Sequence, residues 1–139
     1  MNSRFAVAMH TLSLLALQDG EPVSSELIAS SVSTNPVVIR RLIGMLSAVG
    51  LVSVQSGRGG GAMLARDAAE ISLLDVYQAV EEQPVMRVHE GANPDCPVGR
   101  TVCSVLENYT GDAEKAFAGY LGSRMLSEFV RDVEKAVRG

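Results

Sequence analysis

Two cysteines carry the most reactive chemistry in this chain of 139 residues. Cys96 and Cys103 lie seven residues apart, with His89 upstream and Glu107 four residues beyond Cys103. Thiolate, imidazole and carboxylate groups are transition-metal ligands, and an activated thiolate is a nucleophile that can be oxidised. The four side chains therefore suit a weak metal site, a thiol switch, or a small cysteine-dependent redox enzyme.

The spacing of the cysteines limits the thiol chemistry. A helix is predicted from about Pro97, and seven residues along a helix span about 10 Å, which exceeds the reach of a disulfide. An intrachain bridge would need the start of the helix to melt, whereas a bridge between two subunits needs no such change. Cys96 is the better reactive thiol, because it precedes a helix N-terminus and Arg100 follows one turn on. Two purely structural thiols are the alternative.

Catalytic motifs are missing from the sequence. It contains no Cys-x-x-Cys pair, no His-Glu-x-x-His and no evident serine triad, so nothing marks a nucleophile together with its base. An enzyme would have to use Cys96 and His89 without an evident catalytic base. We therefore predict that the protein is not an enzyme.

A second set of side chains suits contact with DNA. Asn35-Pro36 predicts a sharp helix start, because Asn caps a helix well and Pro fits its first position. Arginine bonds guanine edges or phosphates, asparagine can bond adenine, and valine can contact a thymine methyl group. A solvated helix face is the alternative. The first turns of this helix carry Asn35, Val37, Val38, Arg40 and Arg41.

The glycine-rich segment 57–61 predicts the turn of a β-hairpin, because short β-type runs flank it at 51–54 and 62–64. Glycine lets backbone N–H groups approach phosphates closely, and Arg58 is placed to enter a minor groove. The turn lacks the Lys-Ser/Thr of a nucleotide-binding loop, so that class of site is excluded. A plain hairpin turn remains the alternative to a DNA-binding wing.

The elements that position these residues are mostly helices, with apolar side chains recurring at helical spacing. Helices are predicted at about 3–18, 26–32 (burying Leu27 and Ile28), 36–48, 73–82 behind a Ser72 capping box, 97–121, and after Gly122-Ser123. The fold class is mainly α with a small β-hairpin, a winged helix-turn-helix plus a long dimerisation helix. We divide the chain into a DNA-binding domain at 1–66, a connecting helix and loop at 67–96, and dimerisation helices at 97–139.

The long helix carries an apolar seam whose members alternate steps of four and three, which is a heptad pattern typical of paired helices. We therefore predict that the protein forms a homodimer through this helix and the last one. The seam consists of Val102, Leu106, Tyr109, Ala113, Ala116 and Tyr120.

Charge separates the two halves of the chain. Residues 1–66 hold five arginines and three acidic residues, a net charge of +2, whereas residues 67–139 have a net charge of −6. This asymmetry favours a DNA-facing first half. Apolar residues make up 47% of the chain, which excludes general disorder. No apolar run is long enough for a membrane span, and two cysteines without a secretion signal predict a cytoplasmic protein.

The sequence resembles the Rrf2 family of bacterial regulators (the IscR, NsrR and CymR group) over essentially its whole length. The resemblance rests on Arg4-Phe5-Ala6-Val7-Ala8, on the helix at 35–49, on the string from Ala48 through the glycine-rich turn to Ala65, and on 71–82. Segments 35–41 and 93–99 are most similar to the YwnA-like branch of the family.

The resemblance implies DNA contacts from the start of the third helix, from the hairpin, and from Arg4, which would touch phosphate. The implied contacts of the third helix are Asn35, Val37, Val38, Arg40 and Arg41. Those of the hairpin are Gln55, Ser56, Arg58 and Gly59. Several members carry a basic residue at the position of Ser56, so this chain departs from the pattern there. Iron–sulfur members use three cysteines at the start of the long helix. Only Cys96 and Cys103 are present here, so we disfavour a cluster and leave the cofactor open.

The sequence patterns and the family resemblance together predict a homodimeric, sequence-specific DNA-binding transcription regulator. We expect a repressor that binds double-stranded operator DNA and responds to a redox, thiol or iron–sulfur signal. The alternatives are the cysteine-dependent redox enzyme, and a helical protein-interaction module that does not bind DNA.

Overall fold

The computed structural model describes residues 3–86, 89 and 91–139. Within them it confirms the predicted class, mainly helical with one two-stranded antiparallel hairpin. A short 3-10 turn, Ala68–Glu70, precedes the fourth helix. The elements are α1 (Arg4–Leu17), α2 (Ser25–Val32), α3 (Pro36–Ala48), β1 (Val52–Gln55), β2 (Gly61–Leu64), α4 (Leu73–Val80), α5 (Pro97–Gly122) and α6 (Leu126–Arg138).

Local capping explains where α3 begins and ends. The Asn35 side-chain oxygen accepts a hydrogen bond of 2.8 Å from the backbone N–H of Val37, and Pro36 fills the first helical position. At the other end Gly50 has a φ of +78°, a conformation that glycine adopts at low cost. The backbone N–H of Leu51 then returns to the Leu46 carbonyl at 3.0 Å. Both ends agree with the sequence prediction.

Helix α2 corrects one burial prediction. Ser24 caps it by accepting a hydrogen bond from the Leu27 backbone N–H, and Ile28 and Ala29 are buried. The Leu27 side chain, however, is 55% exposed, so the prediction that it is buried was wrong. Successive helical residues point about 100° apart, and this short helix turns only a narrow face, centred on Ile28, toward the core.

The hairpin is attached to the body of the protein by a third extended segment. Its two strands pair from Val52 opposite Leu64 to Gln55 opposite Gly61. Val23, which lies between α1 and α2, exchanges two backbone hydrogen bonds with Ala62, at 3.0 and 2.9 Å. A Cβ on Gly61 would lie 2.3 Å from the Val23 carbonyl oxygen. Glycine at position 61 is therefore what permits this close approach.

One apolar core joins α1, α2, α3, the hairpin, α4 and α6. Leu12 of α1 and Ile39 and Leu46 of α3 lie fully buried in it. The Ser72 capping box predicted at the start of α4 is present, with both hydrogen bonds at 3.0 Å. Helix α4 ends at Val80, slightly before the predicted end at residue 82.

Helix α6 packs against α1 and the 3-10 turn of the same chain. Leu126 and Val130 lie in the common core, and the backbone N–H of Leu126 donates to the Ile71 carbonyl at 2.7 Å. The sequence grouped α6 with the dimerisation helices at 97–139. Its intrachain packing also attaches it to the body that carries the hairpin and α3, and its place among the dimerisation helices stays a prediction.

Helix α5 differs from all the other helices, because Leu121 is its one buried apolar side chain among the described residues. Its 26 residues correspond to about 39 Å. Near its C-terminal end the Phe117 ring meets the Tyr77 ring edge to face at 5.1 Å, and Tyr77 meets Phe5 at 5.6 Å. The aromatic contacts fix this end to α4 and α1.

Candidate DNA-binding surface

The start of α3 exposes the side chains that were predicted to contact DNA. Val37 is 54% exposed and Val38 is 45% exposed, and Arg40 and Arg41 are also exposed. The opposite face of the helix is buried through Ile39, Leu42, Ile43 and Leu46. A helix fixed in this way presents small apolar groups and guanidinium groups together on its first turns, which suits insertion into a major groove.

Asn35 is exposed, but its side-chain carbonyl oxygen already caps α3. The Nδ2 group is therefore the part of this side chain that can donate outward to a phosphate or a base acceptor. Paired contact with adenine uses the amide oxygen and nitrogen together, so the cap favours a single donated hydrogen bond instead.

Arg40 and Arg41 have different surroundings. The Nη2 atom of Arg40 lies 2.8 Å from the Oε1 atom of Glu26 on α2, and both side chains remain largely exposed. Arg41 faces the other way, into a cleft between α1 and α3 that also receives Arg4. The sequence did not predict the partner of Arg40, because Glu26 lies 14 positions away on another helix.

The cleft between α1 and α3 has an apolar lining with two arginines. Arg4 is half-buried and is the only DNA-contact candidate on α1. Guanidinium groups bind phosphate through several directed N–H donors, so the cleft is suited to one DNA phosphate. The lining residues are Ser3, Arg4, Val7, Val38, Arg41, Leu42 and Met45.

The hairpin turn exposes all four of the predicted wing residues, Gln55, Ser56, Arg58 and Gly59. Gly59 has a φ of +77°. A Cβ on Gly60 would lie 2.1 Å from the Gln55 carbonyl oxygen, so the turn folds back onto its own strand. This compact turn carries Arg58 at its tip, and no other residue of 55–61 is charged.

The two cysteines occupy different environments at the start of α5. Cys96 is exposed, and its Sγ atom accepts a hydrogen bond of 3.5 Å from the Gly99 backbone N–H, which makes it the N-cap of the helix. Cys103 is half-buried, and its thiol donates to the backbone carbonyl of His89. Both cysteines are free thiols.

The candidate ligands do not form a metal site. His89 meets Cys103 through its backbone rather than its ring. Across residues 3–86, 89 and 91–139, no three His, Cys, Asp or Glu side chains are grouped for metal binding. An iron–sulfur cluster is normally held by four ligands, so the donor set of Cys96, Cys103, His89 and Glu107 does not fit a cluster within one chain.

The predicted seam of α5 is exposed. Tyr109 is 72% exposed, and Tyr120 lies under the Arg124 guanidinium, 5.4 Å from the ring centroid. Val98 and Val105, which are not seam positions, are also exposed and widen the apolar stripe beyond the prediction. The exposed seam residues are Val102, Leu106, Tyr109, Ala113, Ala116 and Tyr120.

No helix in the described part of the chain combines the length and the apolar character of a membrane span.

Comparison with known proteins gives a consistent result. The chain is 43% identical over 129 residues to YwnA of Bacillus subtilis, which is named as an HTH-type transcriptional regulator; the match covers 92% of this chain and 95% of YwnA. A crystal structure described as a DNA-binding protein is 40% identical, covers 91% of this chain and 98% of its own, and superposes with a TM-score of 0.74.

More distant similarity supports the fold. The IscR protein of T. potens is 22% identical, with 98% of this chain and 89% of that chain covered, and has a TM-score of 0.74. A family model described as Rrf2, iron-dependent transcriptional regulator, matches residues 1–132. The chain, with its capped α3, its glycine-rich hairpin and its long α5, therefore belongs to the Rrf2 family of transcriptional regulators.

Proposed function

We propose that this protein is a homodimeric, sequence-specific DNA-binding repressor that acts without catalytic turnover in the cytoplasm. The observation that carries the proposal is the start of α3, where Val37, Val38 and two arginines are exposed on a helix whose other face is buried. The names of YwnA and of the 40% identical DNA-binding protein support the same role.

The proposed complex divides the contacts between two grooves. Helix α3 enters the major groove, where Val37, Val38 and Arg40 meet base edges and Asn35 donates one hydrogen bond. Arg41 and Arg4 bind a phosphate at the cleft. The hairpin lies along the backbone beside the groove, with Gln55, Ser56 and Gly59 near phosphates and Arg58 in the minor groove.

Dimerisation supplies the second half-site. The exposed apolar stripe on α5 pairs with the same stripe of a second copy around a two-fold axis, because an isologous interface must be complementary to itself. Tyr109 and Leu106 would lie near the centre of this contact. The operator should then be a pseudo-palindrome with half-sites about 10 bp apart or a multiple of this distance.

Any response to a signal is proposed to use thiol chemistry at Cys96. Its sulfur is exposed and caps α5, so oxidation or alkylation would change the start of the helix that pairs the two subunits. Cys103 is less accessible and would act second. A protein colourless after purification without oxygen is the expected result, and a brown iron-containing protein would contradict it.

DNA selection from a random duplex library tests the function directly. We expect the purified protein to enrich one pseudo-palindromic sequence, and Arg40→Ala with Arg41→Ala to weaken its binding at least tenfold, since each lost contact to a base or phosphate is worth about 1–3 kcal/mol. Arg131→Ala on α6 is a matched control that removes an exposed arginine outside the proposed contacts.

DNA selection, together with a protein-capture assay and a thiol-turnover assay, separates the rival functions. Failure to enrich any sequence, together with capture of a specific protein, would instead support a helical interaction module. Turnover of a thiol substrate that is lost in Cys96→Ser would support a redox enzyme. Equal affinity for all duplexes would contradict the sequence-specific role.

A further inference from the structure

The ion pair between Glu26 and Arg40 ties a predicted base-reading side chain of α3 to the neighbouring helix α2. Arg40 Nη2 and Glu26 Oε1 are 2.8 Å apart, and the side chains are 55% and 66% exposed. Exposed ion pairs of this kind contribute little to folding stability. The position of the pair, on the face of α3 assigned to DNA, therefore needs an explanation other than stability.

The carboxylate of Glu26 is held in place from its own helix. A hydrogen bond from backbone N–H and then the Arg40 guanidinium keep the pKa of Glu26 below its ordinary value. Ser24 caps this first turn of α2, and α2 packs on α3. A negative charge is consequently fixed beside Arg40 at neutral pH.

The geometry of a guanidinium group decides what this charge can do. Arginine has five N–H donors in a planar fork. Glu26 occupies one edge of the fork through Nη2, which leaves the remaining donors for the O6 and N7 acceptors of a guanine. A carboxylate so close to the DNA also repels phosphates, which are the source of non-specific affinity.

We infer that Glu26 is a positioning residue that determines sequence specificity: it orients Arg40 toward a guanine edge and keeps it from binding phosphate. The inference rests on the proposed function and deepens it. Arg41, which forms no ion pair within the described residues, lacks such a constraint and is left to bind phosphate. The two neighbouring arginines therefore have separate roles, one in specificity and one in affinity.

The decisive variant is Glu26→Gln, measured by fluorescence anisotropy against both the selected operator and a random duplex. Removing the charge should tighten binding to the random duplex about threefold and lower the ratio of operator to random affinity about tenfold, because Arg40 can then turn to phosphate. Glu21→Gln makes the same change of charge at an exposed position before α2 and should leave that ratio unchanged.

A double-mutant cycle identifies the partner. In an Arg40→Ala background, Glu26→Gln should not lower the ratio further, whereas in an Arg41→Ala background it should lower it as in the wild type. Circular dichroism should show the same helix content for every variant, since the pair is exposed. Arg40→Ala identifies one operator guanine, the one whose replacement no longer lowers the affinity of that variant. Replacing the same guanine should also have little effect on the affinity of Glu26→Gln.

The outcomes are distinct. Equal effects of Glu26→Gln and Glu21→Gln, or an unchanged ratio in Glu26→Gln, would overturn this inference while the proposed function stands. A wild-type protein that enriches no sequence would overturn the proposed function and this inference with it. If Glu26→Gln still lowers the ratio of operator to random affinity in the Arg40→Ala background, Glu26 acts on DNA without Arg40. That result also overturns this inference.

Discussion

The body of the protein and helix α5 use the same kinds of apolar residue in opposite ways. In the body, formed by α1–α4, the hairpin and α6, Leu12, Ile39 and Leu126 are completely buried. On α5, Val102, Leu106 and Tyr109 are exposed by about half or more. Monomeric soluble proteins rarely leave a contiguous apolar stripe in water. The body therefore buries its apolar side chains within one chain, whereas α5 leaves its stripe for the second copy that the proposed dimer supplies.

The difference should appear first in folding stability. Leu12→Ala removes a fully buried side chain and should lower the free energy of unfolding by about 2–5 kcal/mol. Leu106→Ala, on the exposed stripe, should lower it by less than about 1 kcal/mol at low protein concentration. Urea denaturation followed by circular dichroism measures both. Similar losses of unfolding free energy in the two variants would contradict the contrast between a buried body and an exposed α5.

Introducing charged side chains into the apolar stripe of α5 should disrupt dimerisation without unfolding the chain. Leu106→Asp with Tyr109→Asp should convert the proposed dimer to a monomer, with helix content retained. Operator affinity should then fall by about 100-fold or more, because the two half-sites are no longer linked. Sedimentation velocity and anisotropy provide the readouts. Lys115→Asp, on the same helix but outside the seam, is the control, and a dimer that survives the double change would refute the assignment of the stripe.

The junction between body and α5 should give a smaller effect. Phe117→Ala removes one edge-to-face contact with Tyr77, which is worth about 0.5–1.5 kcal/mol beyond the loss of apolar area. We expect a modest drop in thermal stability together with a larger loss of protection from amide hydrogen exchange in α5 than in α1. Equal changes in both helices would show that α5 is not attached through this ring.

The smallest effect is expected at alkaline pH. Burial, with contributions from Glu81 and Glu114, raises the pKa of Tyr77. The neutral phenol is thus favoured in the folded state, so its contribution is complete below the unfolded pKa of about 10 and is lost as the pH rises through the folded value. Tyr77→Phe should flatten the loss of stability above about pH 10. An unchanged slope would show that the pKa of Tyr77 is the same in the folded and unfolded states.

The sequence predicted the elements that depend on near neighbours. Asn35-Pro36 and Gly50 act within one turn, so the limits of α3 follow from local chemistry. The hairpin followed from its glycine-rich turn. The exposed seam of α5 was also visible as a period in the sequence, although its pairing with a second copy remains a proposal.

The tertiary contacts that escaped prediction depend on distant parts of the chain. The partner of Arg40 is 14 residues away, and the strand contact of Val23 involves a single residue with no pattern of its own. An amphipathic pattern shows that α6 has an apolar face but not which surface that face meets. The misjudged Leu27 has the same cause, since the width of a buried face depends on the neighbouring helices.

The return of α6 to α1 has an evolutionary consequence. Helix α4 ends at Val80 and α6 begins at Leu126, and both helices belong to the common core, so α5 lies between two attachments to the body. Substitutions on the exposed stripe of α5 can alter the proposed pairing without disturbing the buried core that supports α3. Under the proposed function, this architecture lets a lineage diversify the pairing surface while preserving the scaffold that positions α3.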